Sequence, residues 1–444
     1  LHLLSRRQRQ MCIRDRIIAL SIGFVSCSDD DEIPNPKLEI TSETGEDAVA
    51  QLDTLYLSAT TDLAKVNGYK WTVDGTEVSK EATYKFTNPK TGTFVIGLSV
   101  SGDNGEALTM EKKVEVKSRF SDGAFVLNEG NMGNETGTLT YIDSEGVLID
   151  SVYYRVNGTL LGNVCQDLFI ADNKIYIISQ NGARNGGEGL LTIARADNLE
   201  KEKVYNDASE TLSWPTSVAV VGQDIYLRDN KGIYLLNAST ETLTYVANSK
   251  GAAKARMAVV GNKVFAMNGS NIMVLENGAI TGTITAPGKL SGIAKAYDGS
   301  LWASCSSPAK ILKINITDYS IDAHDISESG LGAGWGVAPA FSATKDVLYF
   351  SNAGFNLYRH NFTENKTEFV TKISDHVEDA KMYYNSLGVN PKTGEVIYAT
   401  LKGYGDDYKI NDIAVFDFTK DPALQHDFKG SNSFPAGVFF TSYF

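Results

Sequence analysis

The chain predicts an all-β protein in which a seven-bladed β-propeller follows a small β-sandwich, and three observations carry that prediction. The first is the unit Trp214 to Val246, WPTSVAVVGQDIYLRDNKGIYLLNASTETLTYV. It alternates apolar and polar residues through Val218–Val221, turns at Gly222–Gln223–Asp224, alternates again through Ile225–Leu227, turns over Asp229–Gly232 and continues through Ile233–Leu236 and Leu243–Val246. That pattern is four short strands joined by tight turns. A meander of this kind has two apolar faces and buries both only by stacking on copies of itself.

The second observation is that the copies are present. Second strands recur as GAFVLN at Gly123, NKIYII at Asn173, QDIYLR at Gln223, NKVFAM at Asn262, GSLWAS at Gly299, DVLYFS at Asp346 and EVIYAT at Glu395. Their central aromatics are spaced from 37 residues (Phe265 to Trp302) to 51 residues (Phe125 to Tyr176), the blade period of a propeller. Third strands follow, among them GTLTYID at Gly137, KILKINI at Lys310 and NDIAVFDF at Asn411. The third observation is composition: 40 glycines against 10 prolines, with 21 Tyr and 19 Phe, fits many short strands and turns better than a helical fold. The first unit lacks a strand before it and the chain ends in a strand with no unit after it. Phe434-Pro435-Ala436-Gly437-Val438 repeats the pattern of Trp214-Pro215-Thr216-Ser217-Val218, so the C-terminal strand is expected to supply the innermost strand of blade one. The propeller is assigned to residues 123–444.

Residues 1–16 are a non-native, adapter-like segment: Arg6 to Arg16, RRQRQMCIRDR, resembles the translated end of a sequencing adapter fused in frame, and it is set aside from fold reasoning. Residues 17–27 are a signal-peptide remnant, in which Ile17 to Val25 is too short to span a bilayer and suits an h-region. Ser26-Cys27 closes it and resembles a bacterial lipobox, which makes Cys27 the lipidated residue. Residues 28–37 form an acidic linker whose start, Ser28-Asp29-Asp30-Asp31-Glu32, resembles the surface-export tag of Bacteroidota lipoproteins, with a merely solvated linker as the alternative. No later segment holds eighteen consecutive apolar residues, so contact with the membrane is expected through the lipid anchor alone. Residues 38–117 read as a sandwich of about six strands with turns at Asp74-Gly75 and Asp103 to Gly105. Tyr69-Lys70-Trp71 followed by Val73-Asp74-Gly75 resembles the core-tryptophan strand of PKD domains, an immunoglobulin-like class, and implies a spacer with Trp71 as its core plug.

Several function classes are disfavoured. With 41 Lys and Arg against 54 Asp and Glu, a net charge of -13, the chain is not expected to bind nucleic acid, which requires a basic surface. The 5 histidines show no metal-ligand spacing, and neither GxSxG nor HExxH occurs, so no enzyme, no metal and no cofactor is expected. Ser374-Asp375-His376-Val377-Glu378-Asp379 reads either as a cation site or as a solvated loop. Cys165 and Cys305, in different blades, are expected to be buried free thiols.

In a propeller the loops leading into the innermost strands and those joining second to third strands open on one face. On that face the sequence places Asn128, Glu129, Asn131, Gln166, Gln180, Asn181, Arg184, Trp214, Arg228, Arg256, Asn268, Trp335, Asn352, Tyr404 and Tyr408. Amides, arginines and aromatics together suit a flat, polar, conjugated small molecule or a protein partner, although Asn and Gly are also plain turn formers. FVLNEGN at Phe125 to Asn131, with Gly162, Cys165-Gln166-Asp167-Leu168 and LKGYG at Leu401 to Gly405, resembles the BtuG-like surface propeller lipoproteins of Bacteroidota. The resemblance implies a lipid-anchored protein on the cell surface, at the outer membrane. Such a protein captures cobalamin or another corrinoid and hands it to a TonB-dependent transporter. Asn128, Asn131, Gln166, Gln180, Asn181 and Asn268 would then be amide partners, and Trp214, Trp335, Tyr404 and Tyr408 walls. Arg184 and Arg228 would suit an anionic siderophore or haem better, and a glycan- or protein-binding adhesion module without a transport role is a further alternative.

Overall fold

The computed structural model describes residues 36–441 apart from 104, 106, 207–210, 329–330, 332–340, 345, 352–353 and 432. The adapter-like segment, the h-region, Cys27 and nearly all of the acidic linker therefore lie outside the described residues, as do Trp335 and Asn352. Among the described residues the regular secondary structure is almost all strand, and no helix is long and apolar enough to cross a membrane.

From Gly123 onward the strands form seven four-stranded antiparallel sheets, numbered here one to seven in chain order. Their first strands are Pro435–Phe440 (sheet one), Cys165–Ala171, Ser217–Val221, Ala258–Val260, Lys289–Lys295, Phe341–Thr344 and Met382–Val389 (sheet seven). Each first strand lies against the next, and the last lies against the first, so these strands line a closed ring. The closure is the expected one: Pro435–Phe440 pairs with Gly123–Asn128, with Phe439 opposite Phe125.

The second strands fall where the recurring motifs place them: Gly123–Asn128, Lys174–Ser179, Asp224–Arg228, Lys263–Asn268, Leu301–Ser307, Val347–Ser351 and Val396–Leu401. They do not alternate as half-exposed strands do. Val396–Leu401 is buried at every position, because a neighbouring sheet covers each of its faces. A separate apolar core fills each interval between sheets. Phe125 and Tyr141 of sheet one pack with Leu168 and Ile177 of sheet two, and Ala124 and Val126 turn the other way onto Ile397 and Ala399 of sheet seven. The outer strands have no such cover on one side, which is why Lys201–Tyr205 reads KEKVY.

Ahead of the ring, a three-stranded sheet (Leu38–Ser42, Leu55–Thr61, Thr83–Phe86) faces a five-stranded sheet (Ala48–Ala50, Ala107–Lys117, Gly92–Gly102, Val66–Val73, Thr76–Ser79). They share one core, centred on the fully buried Trp71, whose Nε1–H donates to Glu81 O at 2.8 Å. Eight strands replace the expected six, because Ala48–Ala50 and Thr76–Ser79 form edges too short to stand out in the pattern. A second departure is a six-residue helix, Val152–Asn157, that buries Val152, Tyr153 and Val156 and ends at Gly158 with φ 68°.

This N-terminal unit docks on the turns that join third to fourth strands. Gln51, fully buried, donates to Asn198 O at 2.9 Å, and Asn198 Nδ2 donates to Thr91 Oγ1 at 3.1 Å. Arg119 bridges Asp53 (2.6 Å) and Asp143 (3.0 Å). Antiparallel connectivity puts those turns at the opposite end of each sheet from the second-to-third connections. The N-terminal unit thus covers part of the turn face and leaves the loop face clear of it.

Candidate functional site

The loop face is uneven. Second-to-third connections are long in sheets one, two and seven, which are neighbours in the ring, and short in sheets three, four and five. The long ones form a continuous wall tied by side chains. Asn163 is fully buried and donates through Nδ2 to Asn131 O at 3.0 Å and Glu135 O at 2.5 Å, while its Oδ1 accepts from Asn181 Nδ2 at 2.8 Å. Tyr408 donates its hydroxyl to Glu135 Oε1, and Ser433 Oγ donates to Glu135 Oε2 at 2.8 Å. The bond to Glu135 and burial both push the Tyr408 hydroxyl pKa up, so it remains a donor.

Two aromatics are held in the left-handed region directly before a proline. Trp214 has φ 52° and Phe434 φ 55°, a conformation that is a genuine outlier for bulky residues. Trp214 is fixed by its loop: buried Asp229 accepts from Ser213 N (2.7 Å), Lys231 N (2.7 Å) and Gly232 N (3.0 Å), and the indole stays 52% exposed. Phe434 is fixed by Glu129 N–H, which donates to its carbonyl at 2.7 Å. Its ring is stacked with Tyr408 at 4.9 Å and with Tyr404 at 6.3 Å, and Tyr404 is 58% exposed.

The structure brings Asn131, Gln166, Gln180, Asn181, Arg184, Tyr404 and Tyr408 into the wall of sheets seven, one and two, with Glu129 at the base of its first loop and Trp214 on the adjoining sheet three. Within the wall, Gln180 Nε2 donates to Gln166 Oε1 at 3.1 Å and Asn131 Nδ2 reaches the Tyr408 hydroxyl at 3.4 Å, so part of the amide capacity is used internally. Arg184 is exposed. Asn268 stands apart on sheet four and donates to Lys250 O at 3.1 Å.

Two expected rim residues are inside. Arg228 is buried: Nε and Nη2 donate to Ala252 O at 3.1 and 2.9 Å and Nη1 to Thr216 Oγ1 at 2.9 Å, so it staples neighbouring loops and does not face an anionic ligand. Asn128 is also buried, donating to Thr138 and Thr140 hydroxyls at 3.1 and 3.2 Å. Both end second strands, and both of these side chains turn under the loop that follows.

An ion pair that sequence reasoning did not single out lies among the first strands. Asp167 of sheet two is buried, and its Oδ2 accepts from Ser217 Oγ at 2.8 Å and Val218 N at 3.1 Å. Its Oδ1 lies 3.1 Å from Arg256 Nε, at an angle off the hydrogen-bond line. Arg256 Nη2 donates to Ala436 O at 2.9 Å, and the guanidinium carbon sits 4.2 Å from the centre of the Phe439 ring. Burial raises the Asp167 pKa and lowers that of Arg256, each opposed by the partner's charge. The available signal was the position of Asp167 and Arg256 near the starts of first strands.

Elsewhere, Asp375, Glu378 and Asp379 each lie within 4.0 Å of a lysine, namely Lys372, Lys429 and Lys402. Among the described residues no group of three or more His, Cys, Asp or Glu is arranged to hold a metal ion. Cys165 and Cys305 are buried and free.

Comparison with known proteins extends this picture. The family described as "Domain of unknown function (DUF5074)" matches residues 122–441. No curated protein matches the chain. Among solved structures, a quinonprotein alcohol dehydrogenase-like protein from Bacteroides thetaiotaomicron is similar at 15% identity and a TM-score of 0.55, over 89% of this chain and 96% of that one. A protein of unknown function from the same organism is similar at 12% identity and a TM-score of 0.35, over 82% and 96%. Virginiamycin B lyase from Staphylococcus aureus is similar at 12% identity and a TM-score of 0.43, also over 82% and 96%. The first of these likenesses bears on the fold alone, which is propeller-like.

Proposed function

The chain belongs to the DUF5074 family, whose description assigns no activity, and we propose that it is a non-catalytic capture protein. In this reading a seven-bladed propeller, raised on a PKD-like, immunoglobulin-like spacer and anchored through lipidated Cys27, displays its loop face outside the outer membrane. There it binds a small conjugated ligand, best matched by cobalamin or another corrinoid, and passes it to a TonB-dependent transporter.

One observation carries the reading: exposed aromatics, Trp214 and Tyr404, flank a wall of amides and hydroxyls on the face that the N-terminal unit leaves clear. A corrinoid is a broad conjugated disc fringed with amides, so a matching site needs two-way amide partners along a rim and aromatic surfaces against its apolar edges. Asn131, Gln166, Gln180 and Asn181 supply the former. The runner-up, a haem or anionic siderophore, is favoured by exposed Arg184, since guanidinium pairs well with carboxylates.

Calorimetry with cyanocobalamin, haem and a ferric catecholate siderophore tests the ligand. Binding of cyanocobalamin alone is the expected result, and binding of none of the three contradicts the reading. Protease added to intact cells is expected to degrade the protein, and full protection would contradict surface display.

A further inference from the structure

The Arg256 side chain crosses the axis of the ring. It leaves the chain just before the first strand of sheet four, yet its guanidinium contacts Asp167 of sheet two and Ala436 and Phe439 of sheet one. In the closed ring, sheet four is separated from sheet one by sheets two and three on one side and by sheets five, six and seven on the other. A contact between them therefore spans the central opening. The two residues in polar contact lie near the starts of their strands, Asp167 in Cys165–Ala171 and Ala436 in Pro435–Phe440, which places the guanidinium towards the loop-face end of that opening, with the Phe439 ring, from further along its strand, beneath it.

Its setting is built to hold it there. The carboxylate that anchors it is buried and fixed by two further donors, Ser217 Oγ and Val218 N. Ser217 Oγ also accepts from Met257 N at 3.2 Å, which ties down the backbone next to Arg256. Gly437 makes room: a Cβ there would lie 1.5 Å from Arg256 Nη2. The arginine lies deep among the surrounding strands, so burial still lowers its pKa, yet 41% of its side-chain surface stays accessible within the opening, and its Nη1 has no protein partner among the described residues. A planar, charged fork held by one face and one edge, with Nη1 left without a protein partner, is a preorganised receptor for an oxyanion. Arg119, which clamps the N-terminal unit, has by contrast only 9% of its side chain exposed.

We propose that Arg256 is the anion-receiving residue of the loop face, taking a phosphate-ester or carboxylate oxygen of the ligand whose flat body packs on the aromatic rim. The proposal rests on the capture reading for its ligand but not for its site. It sharpens the ligand class to a conjugated molecule bearing an anionic arm that reaches the axis. Cobalamin meets this through the phosphodiester of its nucleotide arm, and haem through its propionates.

The site is tested first without any large ligand. In full-length protein labelled with 15N-arginine, the Nε–H resonance that disappears in Arg256→Lys is followed during titration with inorganic phosphate and with acetate. A saturable shift of that resonance is expected. Affinities for cyanocobalamin, for dicyanocobinamide, which lacks the phosphate ester, and for haem and its dimethyl ester are then compared between wild type and Arg256→Gln. A loss of at least tenfold for the member of a pair that bears the phosphate ester or free carboxylates, with the member lacking them within threefold, supports the proposal and identifies which of the two groups is received. Should Arg256→Gln fail to fold because Asp167 is left unpaired, Asp167→Asn/Arg256→Gln removes both charges and Arg256→Lys keeps the cation while losing the fork. A shifted Arg256 resonance with no ligand bound upholds the anion site and rejects the corrinoid and haem reading. An unshifted resonance, together with binding that the variants leave within threefold for every member, overturns the proposal and makes Arg256 a ring clamp only.

Discussion

The two ends of the ring are built from the same strands and solve opposite problems. At the turn face, polar groups meet polar groups: buried Gln51 with Asn198, Arg119 with both Asp53 and Asp143, and the N-terminal unit closes over them. At the loop face, Trp214 and Phe434 occupy a backbone region that costs of order 1–3 kcal/mol each, Tyr404 lies open on top of its stack, and Arg256 keeps a charge accessible. The turn face has left-handed residues and unpaired atoms of its own, Leu52 and Leu199 and the Gln51 Oε1 and Arg119 Nε, but these are closed in beneath the N-terminal unit. Exposed aromatics and an accessible charge occur together at the loop face, which marks where binding is to be expected.

The largest expected effect breaks the turn face. Arg119→Met leaves Asp143, in its largely enclosed setting, without its cation. Loss of a buried partner costs about 3 kcal/mol once the half-exposed Asp53 is discounted. Calorimetric unfolding should split into two transitions as the N-terminal unit separates, with ligand affinity at the loop face unchanged. A single transition at the wild-type temperature would mean that the docking contributes little.

Acid offers a second way to separate the faces. His360, near the turn-face end of sheet six, is pushed down to about 4 by burial and by His324, whose Nδ1 lies 3.1 Å from its Nε2. A pKa lower in the folded state than the ordinary value of about 6.5 means that this stability is fully present above pH ~6.5. It is lost as pH falls towards 4, with a full size of order 3 kcal/mol. Asp412, raised to about 6 by burial and by Asp427, works in the opposite sense, losing stability as pH rises through 6. His360→Gln isolates the first effect: melting temperature should fall less between pH 6.5 and 4 than in wild type, and equal slopes would contradict the assignment.

Much of this was legible in the sequence, for a physical reason. A repeated strand that must be covered on both faces writes a dense apolar signature, so all seven second strands are visible, and Phe434-Pro435 could be matched to Trp214-Pro215 because both begin a first strand. The helix Val152–Asn157 was hidden, since six residues give too few turns for a helical period to emerge. Arg228 and Asn128 were misplaced to the rim because strand order gives the face of a loop but not the direction of the side chain that ends the strand. The sequence places Asp167 and Arg256 near the starts of first strands, but their pairing depends on the angular position of sheets around an axis, which no local pattern encodes.

A smaller effect sharpens the comparison within the loop face. Tyr404→Ala and Trp214→Ala should each weaken cyanocobalamin binding by about 1–2 kcal/mol, the worth of an aromatic contact with its buried area. Melting temperature should shift by no more than a degree or two, because both side chains are exposed. Arg184→Ala, at the periphery of the wall, should change affinity less than threefold for a corrinoid, and a larger loss would move the preference to an anionic ligand.

Hydrogen–deuterium exchange with and without cyanocobalamin tests the central claim most directly, because it reads both faces in one experiment. Protection is expected at 129–135, 163–166, 213–216 and 404–408, with the turns at 143–147 and 196–200 unchanged. Protection confined to those turns, or none on the loop face, would contradict the assignment of binding to this end of the ring.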